Sequence, residues 1–436
     1  MSEKKLLIKN IGSLGIVQIV NYIFPLLTIP YVSRILGPSS LGIINYINAF
    51  IVYFTLIAGY GFDYSATRKI AFNSSSNKDS RNEVFSEVIS AKFLLLIIAS
   101  ILYLISFFYV NQLNKNPTLS LIIYLNVISV FLSPYYIYQG LQNLSLYSIV
   151  NLIRGVLSTV LIFILIKREK DYIIYAAITV ILNVISSLFF LIYAIVKYNL
   201  KFRLYGLKHS VKLLKSDRYI FFSSIIWSLY TSTNTVILGF FVDSAHVGFY
   251  TVAVSLITII QSVINTPLTT SLYPFLANSF SLSIDAGIEQ LRKIAPIVFY
   301  FTLFSGFFIL LFAPLIINIV YGEKFHNSII CLMLLSFMPL VSCMVNLFGI
   351  QVMYNLKMDK DFVKITFVGA ILSVFLNLFF CYYFGYIGPC IVLFITECFI
   401  LIKAYIKLKK MELDIIKLEY FRWSCLKKNI LSFISK

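Results

Sequence analysis

The sequence predicts an all-α membrane protein of about twelve transmembrane helices in two six-helix halves, on three observations. Of its 436 residues 59% are hydrophobic and only 12% charged, against about 25% charged in an ordinary soluble domain, so apolar side chains must face lipid as well as a core. They fall in unbroken runs of the ~18 or more residues that cross a ~30 Å hydrocarbon layer as helix; the strands of a membrane barrel would alternate apolar and polar instead. Lys and Arg are spread unevenly between alternate connections, as their retention on the cytoplasmic side of a membrane produces. That bias, rather than nucleic-acid binding, explains the net charge of +18.

The expected spans are 11–33, 41–66, 90–111, 119–140, 147–167, 172–195, 220–242, 248–272, 294–319, 329–354, 365–384 and 388–407. The first follows a polar, basic decapeptide and shows no small-residue cleavage site, so it reads as a retained helix. Its Pro25 and Pro30 each remove a backbone hydrogen bond, making either a bending hinge or a fixed kink. The second carries Asn45, Asn48 and Thr55, and ends near Asp63 and Arg68; the fourth carries Asn126, Ser129, Ser133 and Tyr136. The fifth places Tyr147, Asn151, Arg154 and Ser158 on one face. The seventh has Ser223, Trp227, Tyr230 or Thr231, and Asn234. The eighth has Thr251, Ser255, Thr258, Ser262, Asn265 and Thr269 at alternating steps of four and three, which is one helical face. Singly such stripes serve helix packing; five together point to a shared hydrated cavity rich in neutral donors and acceptors, suited to sugar hydroxyls.

With the N-terminus in the cytoplasm, the cytoplasmic segments carry 29 of the 36 Lys and Arg, the outer loops 6, and Arg154 lies inside a span. The even span count returns the C-terminus to the same side. Seven of these charges separate spans six and seven. The expected organisation is a six-helix lobe over 1–200, a basic cytoplasmic inter-lobe loop over 201–219, a second six-helix lobe over 220–407, and a basic cytoplasmic tail over 408–436. A repeat links the halves. Leu36-Gly37 followed by Leu41-Gly42-Ile43-Ile44 recurs as Leu238-Gly239 followed by Val247-Gly248-Phe249-Tyr250. Two halves of like orientation are the parallel-repeat pattern of secondary transporters.

Enzyme chemistry has little support. There is no Gly-Lys dipeptide and hence no P-loop, no GxSxG elbow, no HExxH, and no CxxC among six cysteines. No catalytic residue, metal or cofactor is expected. Arg154 is the one deeply placed cation of this reading, at a cost of at least ~2.5–3.5 kcal/mol. It should be paired, reach the surface by snorkelling, or face an anion; a guanidinium binds phosphate in a planar, bidentate way. Glu397, midway along span twelve, is protonated, paired, or part of an ion pathway. Arg34, Asp63 and Arg68 lie near span ends, where charges act as anchors or ligands.

Ser33-Arg34-Ile35-Leu36-Gly37-Pro38 with Leu41-Gly42 resembles the opening signature of Wzx-type polysaccharide repeat-unit flippases, relatives of the MATE-like exporters of the MOP superfamily. Gly61, Ala66, Arg68 and Ala71 resemble the family's second-span motif, and Pro134 with Tyr138-Gln139-Gly140-Leu141-Gln142 its fourth-span exit. Leu238-Gly239, Val247-Gly248-Phe249-Tyr250 and Tyr273-Pro274 resemble spans seven and eight, in order over about 400 residues. The resemblance implies two six-helix bundles around a central cavity, in the bacterial inner membrane. It implies translocation of undecaprenyl-pyrophosphate-linked repeat units, of O-antigen or a similar polysaccharide, from the cytoplasmic to the periplasmic leaflet. Partners would be the bilayer, that lipid-linked glycan, and the polymerase and chain-length regulator of the same pathway. Substrate-binding candidates are then Arg154, Asn151, Ser158, Arg34, Arg68, Asn234, Thr258 and Asn265. Asn234 stands where the family often has Asp. Glu397 and Asp63 are candidates for coupling to H+ or Na+, beside consumption of the product outside as the alternative drive. Pro25 and Pro30 are hinge candidates.

Three rivals share features. A MATE-type drug antiporter should show paired carboxylates within one lobe, where this chain has isolated ones. A lipid II flippase would carry more basic residues in the first two spans than Arg34 and Arg68. A membrane polysaccharide polymerase, an enzyme, would have a large arginine-bearing outer loop, and every outer loop expected here is short.

Overall fold

The computed structural model describes residues 3–74, 78–413, 415–422 and 425, and side chains within these except 3–23, 73, 74, 78, 223, 224, 227, 230, 267, 270 and 271. The seventh-span stripe at Ser223, Trp227 and Tyr230 therefore lies outside the described side chains.

Helix breaks follow the glycines and prolines. Helix α1 (Glu3–Gly59) spans two passes and kinks at Gly37, whose φ of 72° is cheap only without a Cβ; Pro38 then occupies the first turn of the outgoing arm, where its missing N–H costs nothing. Tyr60 and Gly61 both have positive φ, ending α1 before α2 (Phe62–Lys69). A Cβ at Gly61 would stand 2.6 Å from Ile220, so glycine also permits close approach of another helix. Helices α3 (Lys78–Tyr109), α4 (Asn111–Lys115) and α5 (Pro117–Leu132) follow; α5 stops before Pro134, and α6 (Tyr135–Gly140) restarts beyond it. Next come α7 (Leu144–Leu165), α8 (Tyr172–Tyr198), α9 (Leu207–Thr231) and α10 (Thr233–Phe241). The later chain forms α11 (Ser244–Pro267), α12 (Tyr273–Leu282), α13 (Ile284–Val320), α14 (Ser328–Leu334), α15 (Met338–Asn346), α16 (Asp359–Phe384) and α17 (Gly388–Lys409). No strand occurs among the described residues.

Nine helical stretches among the described residues are long and apolar enough to cross a bilayer. Two of them, Phe24–Phe72 (49 residues) and Asp359–Lys409 (51 residues), are each long enough for two passes at ~1.5 Å per residue across ~30 Å. With α9–α10 as a further pass, about twelve crossings result, as the hydropathy pattern predicts. Large apolar residues such as Ile101, Phe304, Leu311 and Phe375 stay exposed, as lipid-facing residues do.

The chain forms two compact units, Met1–Val236 and Ile237–Lys436. The core of the first joins Phe62 and Ala66 of α2, Phe85 and Ala91 of α3, Tyr136 and Tyr138 of α6, and Phe190 of α8. Two expected loops are largely helix: α3 begins at Lys78, well before the span expected from 90, and 201–219 is helical from Leu207. Both stretches are amphipathic, and packing one face on the bundle outweighs their charge.

Candidate functional site

Helices α7 and α8 form a hairpin, so Arg154, midway along α7, meets Asn183 of α8. The Arg154 Nη1 donates to Asn183 Oδ1. Asn183 Nδ2 in turn donates to Asn126 Oδ1 of α5 at 3.4 Å, so one polar chain crosses three helices of the first unit. Beside the guanidinium lies a cavity of ≈ 280 Å³ lined by Pro25 and Thr28 of α1, Ser158 and Thr159 of α7, and Tyr175, Thr179 and Asn183 of α8. A second cavity of ≈ 200 Å³ shares Tyr175, Thr179 and Asn183 and adds Asn45 and Asn48 of α1 and Asn126 of α5. Four carboxamides around so small a space supply many donors and acceptors without charge. Among the described residues Arg154 forms no ion pair, so the site is a positively charged group amid neutral polar ones, at membrane depth. Each cavity falls below the ~300–1,000 Å³ of small-molecule pockets. Either has room for a phosphate or a single sugar ring, not for a whole oligosaccharide.

A second deeply placed cation corrects the expectation that Arg154 stands alone. Lys92, assigned from the charge pattern to a cytoplasmic segment, is 1% exposed. Its Nζ donates to the carbonyls of Val130 (3.1 Å) and Ser133 (2.9 Å) and sits 5.5 Å from the centre of the Tyr136 ring. Pro134 explains the arrangement. It has no N–H to give the carbonyl four residues back, which is Val130, and Lys92 supplies the missing donor. Lys92 is thus spent on the α5 break.

The structure gathers Arg154, Ser158 and Pro25 at the first cavity. Asn151 lies one turn away, 5% exposed, donating to the Tyr147 carbonyl at 2.7 Å. Arg34, Asp63 and Arg68 are exposed and line neither cavity; Asp63 lies within electrostatic reach of Lys92 and Tyr135. Pro30 lines neither, and its carbonyl accepts from the Ser33 hydroxyl at 3.3 Å. Asn234 is fully buried in α10.

In the second unit the eighth-span stripe mostly folds back on α11. Ser255, Thr258 and Thr269 donate to the carbonyls of Thr251, Val254 and Asn265 at 2.7–2.8 Å. Asn265 reaches across, to the Ser342 hydroxyl at 3.4 Å. Glu397 of α17 is 7% exposed; its Oε2 and the adjacent Thr396 hydroxyl have no hydrogen-bond partner among the described residues. No cluster of three His, Cys, Asp or Glu that could hold a metal occurs among the described residues.

Sequence reasoning passed over Tyr175, Thr179 and Asn183. The signal was present: they stand at steps of four along α8, the periodicity used for the other spans. Lys92 offered no such signal, because its role depends on Pro134, on a distant stretch of the chain.

Comparison with known proteins gives this arrangement a family. Residues 7–280 match the family described as polysaccharide biosynthesis protein. The chain belongs to that family. A curated relative, the "Putative O-antigen transporter" of Escherichia coli (strain K12), is 29% identical over 406 residues, covering 92% of this chain and 96% of its own length. Among solved structures, the lipid II flippase MurJ in an inward closed conformation superposes with a TM-score of 0.71 at 15% identity, covering 97% of this chain and 91% of its own. An inward-facing multidrug resistance MATE family transporter of the MOP superfamily gives 0.67 at 19% identity, covering 96% and 99%. At such identities these structures establish the fold: the polysaccharide biosynthesis protein described here is a multi-pass, MATE-like membrane protein of about twelve helices.

Proposed function

We propose that this protein flips undecaprenyl-pyrophosphate-linked oligosaccharide repeat units, of O-antigen or a similar polysaccharide, from the cytoplasmic to the periplasmic leaflet of the inner membrane by alternating access. The observation that carries the reading is Arg154, a guanidinium without an ion-pair partner among the described residues, beside a cavity at membrane depth. A cation so placed favours an anionic guest, and lipid pyrophosphate is one. The neighbouring amides of Asn45, Asn48, Asn126 and Asn183 suit a sugar ring next to it. A guanidinium where a drug antiporter would need carboxylates argues against cationic cargo. The cavities' size means that they hold one part of the headgroup at a time.

The polyprenyl chain stays in lipid, since wetting it would cost ~0.8 kcal/mol per methylene. Both termini are cytoplasmic in this reading, and basic groups on that side collect the pyrophosphate. Glu397, buried and short of a partner at one oxygen, is the candidate for coupling to H+ or Na+; removal of product by the polymerase and chain-length regulator is the other drive. The reading is tested by deleting the gene and analysing lipids. Undecaprenyl-linked repeat units should accumulate facing the cytoplasm; unchanged surface polysaccharide in the deletion strain would overturn it.

A further inference from the structure

The stretch between α8 and the first turns of α9 carries a surface whose exposed apolar side chains the flippase reading does not use. Residues 200–206 run extended along α3, stitched to it by side chains one helical turn apart. Asn82 Oδ1 accepts from the Lys201 N–H at 3.1 Å, Ser86 Oγ from the Arg203 N–H at 3.0 Å, and Ser90 Oγ from the Tyr205 N–H at 3.0 Å. Ser86 also donates to the Lys201 carbonyl at 3.2 Å, and His209 meets Glu87 at 2.7 Å. Each turn of α3 matches two residues of extended chain, because ~5.4 Å of helix pitch roughly spans a two-residue extended step. The strap is therefore held by its backbone; Leu200 is buried, and the side chains of residues 201–204 are left to the outside.

What it presents is both greasy and cationic. Phe202, Leu204 and Leu207 are 53%, 66% and 68% exposed, and on α9 Tyr219 and Phe222 are 71% and 55% exposed. Between them Lys201, Arg203, Lys208, Lys212, Lys215 and Arg218 are exposed, while the one acidic residue of the stretch, Asp217, is buried at 7%. The face continues from α8, whose exposed Ile192 and Val196 lead into it at 53% and 70%. An exposed apolar face of this kind is unfavourable in water, and an anionic one would repel lipid phosphates; a mixed basic and aromatic one fits the boundary between acyl chains and anionic headgroups.

We propose that residues 201–222 form a lipid-docking face that binds the anionic phospholipid headgroups of the adjacent leaflet, fixing this stretch of the first unit on the membrane surface. The proposal is independent of what the protein transports. It is tested on the full chain in nanodiscs with a Leu204→Trp reporter, read against the parent protein, with bromine placed near the headgroup end of the lipid chains. Quenching of the reporter should at least double when phosphatidylglycerol replaces phosphatidylcholine. The combined variant Lys201→Gln, Arg203→Gln, Lys208→Gln and Lys212→Gln should lose that increase while remaining monodisperse. Quenching that is absent, or equal in both lipids, would overturn the proposal. So would displacement of the reporter from phosphatidylglycerol by millimolar inorganic pyrophosphate, which would make the face a phosphate site rather than a lipid one. Leu207→Trp serves as the reporter if Leu204→Trp does not fold.

Discussion

The main polar stripes of the two units differ in where they bond. In the first, Arg154, Asn183 and Asn126 bond from helix to helix and leave cavities beside them. In the second, Ser255, Thr258 and Thr269, in a stripe of similar spacing, bond to carbonyls of their own helix. Reach explains the difference. A hydroxyl on Cβ comes close to the carbonyl one turn back and often closes on it, whereas a longer carboxamide or guanidinium can extend past its own helix to another, as Asn183 and Arg154 do and Asn151 does not. Both cavities accordingly lie beside the Asn and Arg side chains that bond from helix to helix.

The largest expected effect tests the first half of that contrast. Arg154→Ala should reduce surface polysaccharide at least tenfold in a deletion strain at equal protein levels. Arg154→Lys should recover only part of it, because an ammonium keeps the charge but not the planar fork. Normal export by both variants would remove Arg154 from the mechanism.

Much of this was legible beforehand, for physical reasons. Span number and approximate ends follow from run length, since lipid demands about twenty apolar residues per crossing. Arg154 announced itself as a charge within an apolar run. The stretch 201–219, whose polar composition predicts a loop, is helical from Leu207, because α9 packs one face and exposes the other. The burial of Lys92 is not legible, because its two carbonyl partners lie on a different helix and nothing at positions near 92 reports them.

Lys92 yields the next largest effect. Lys92→Met leaves the Val130 and Ser133 carbonyls buried without a donor, at ~1–3 kcal/mol each, so the purified protein should melt several degrees lower. Adding Pro134→Ala restores an N–H within reach of Val130 and should recover part of the loss. Equal melting of the single and double variants would show that Lys92 does not serve the break.

Glu397→Gln probes the second unit's buried carboxylate. The amide preserves shape and removes ionisation, so protein levels should hold. If Glu397 carries a coupling ion, export should fall several-fold and lose its response to collapse of the proton or sodium gradient. Unchanged export with an unchanged response would dismiss the residue as a coupling site.

A smaller effect concerns a cross-element bond at the edge of the second unit. The Tyr420 hydroxyl lies 2.7 and 2.8 Å from the two oxygens of Glu289, tying the tail to α13. That hydrogen bond, with Lys293 and Arg292 adding to it, holds the Glu289 carboxyl below its ordinary value of 4.5. A lowered carboxylate stabilises docking fully above the ordinary value and loses that contribution as pH falls through the lowered one. Pepsin cleavage of the tail should rise as pH falls through the lowered value, whereas trypsin cleavage at Lys417 should stay flat between about pH 6 and 8. Tyr420→Phe should raise it at neutral pH by a factor of about five at most, because a partly exposed pair contributes under ~1 kcal/mol.

The smallest effect decides whether the contrast between the units holds. Thr258 is exposed, and its hydroxyl is satisfied by Val254 at 2.8 Å. Thr258→Val deletes that hydroxyl and keeps the branched shape, so it removes a bond the helix does not need and leaves no other group unpaired. Stability should stay within about 0.5 kcal/mol and export should be unchanged. A clear loss of export without loss of protein would mean that the hydroxyl leaves its own carbonyl for the cargo during transport. The eighth-span stripe would then belong to the substrate path after all, and back-bonding in one conformation would be no guide to a side chain's role in the cycle.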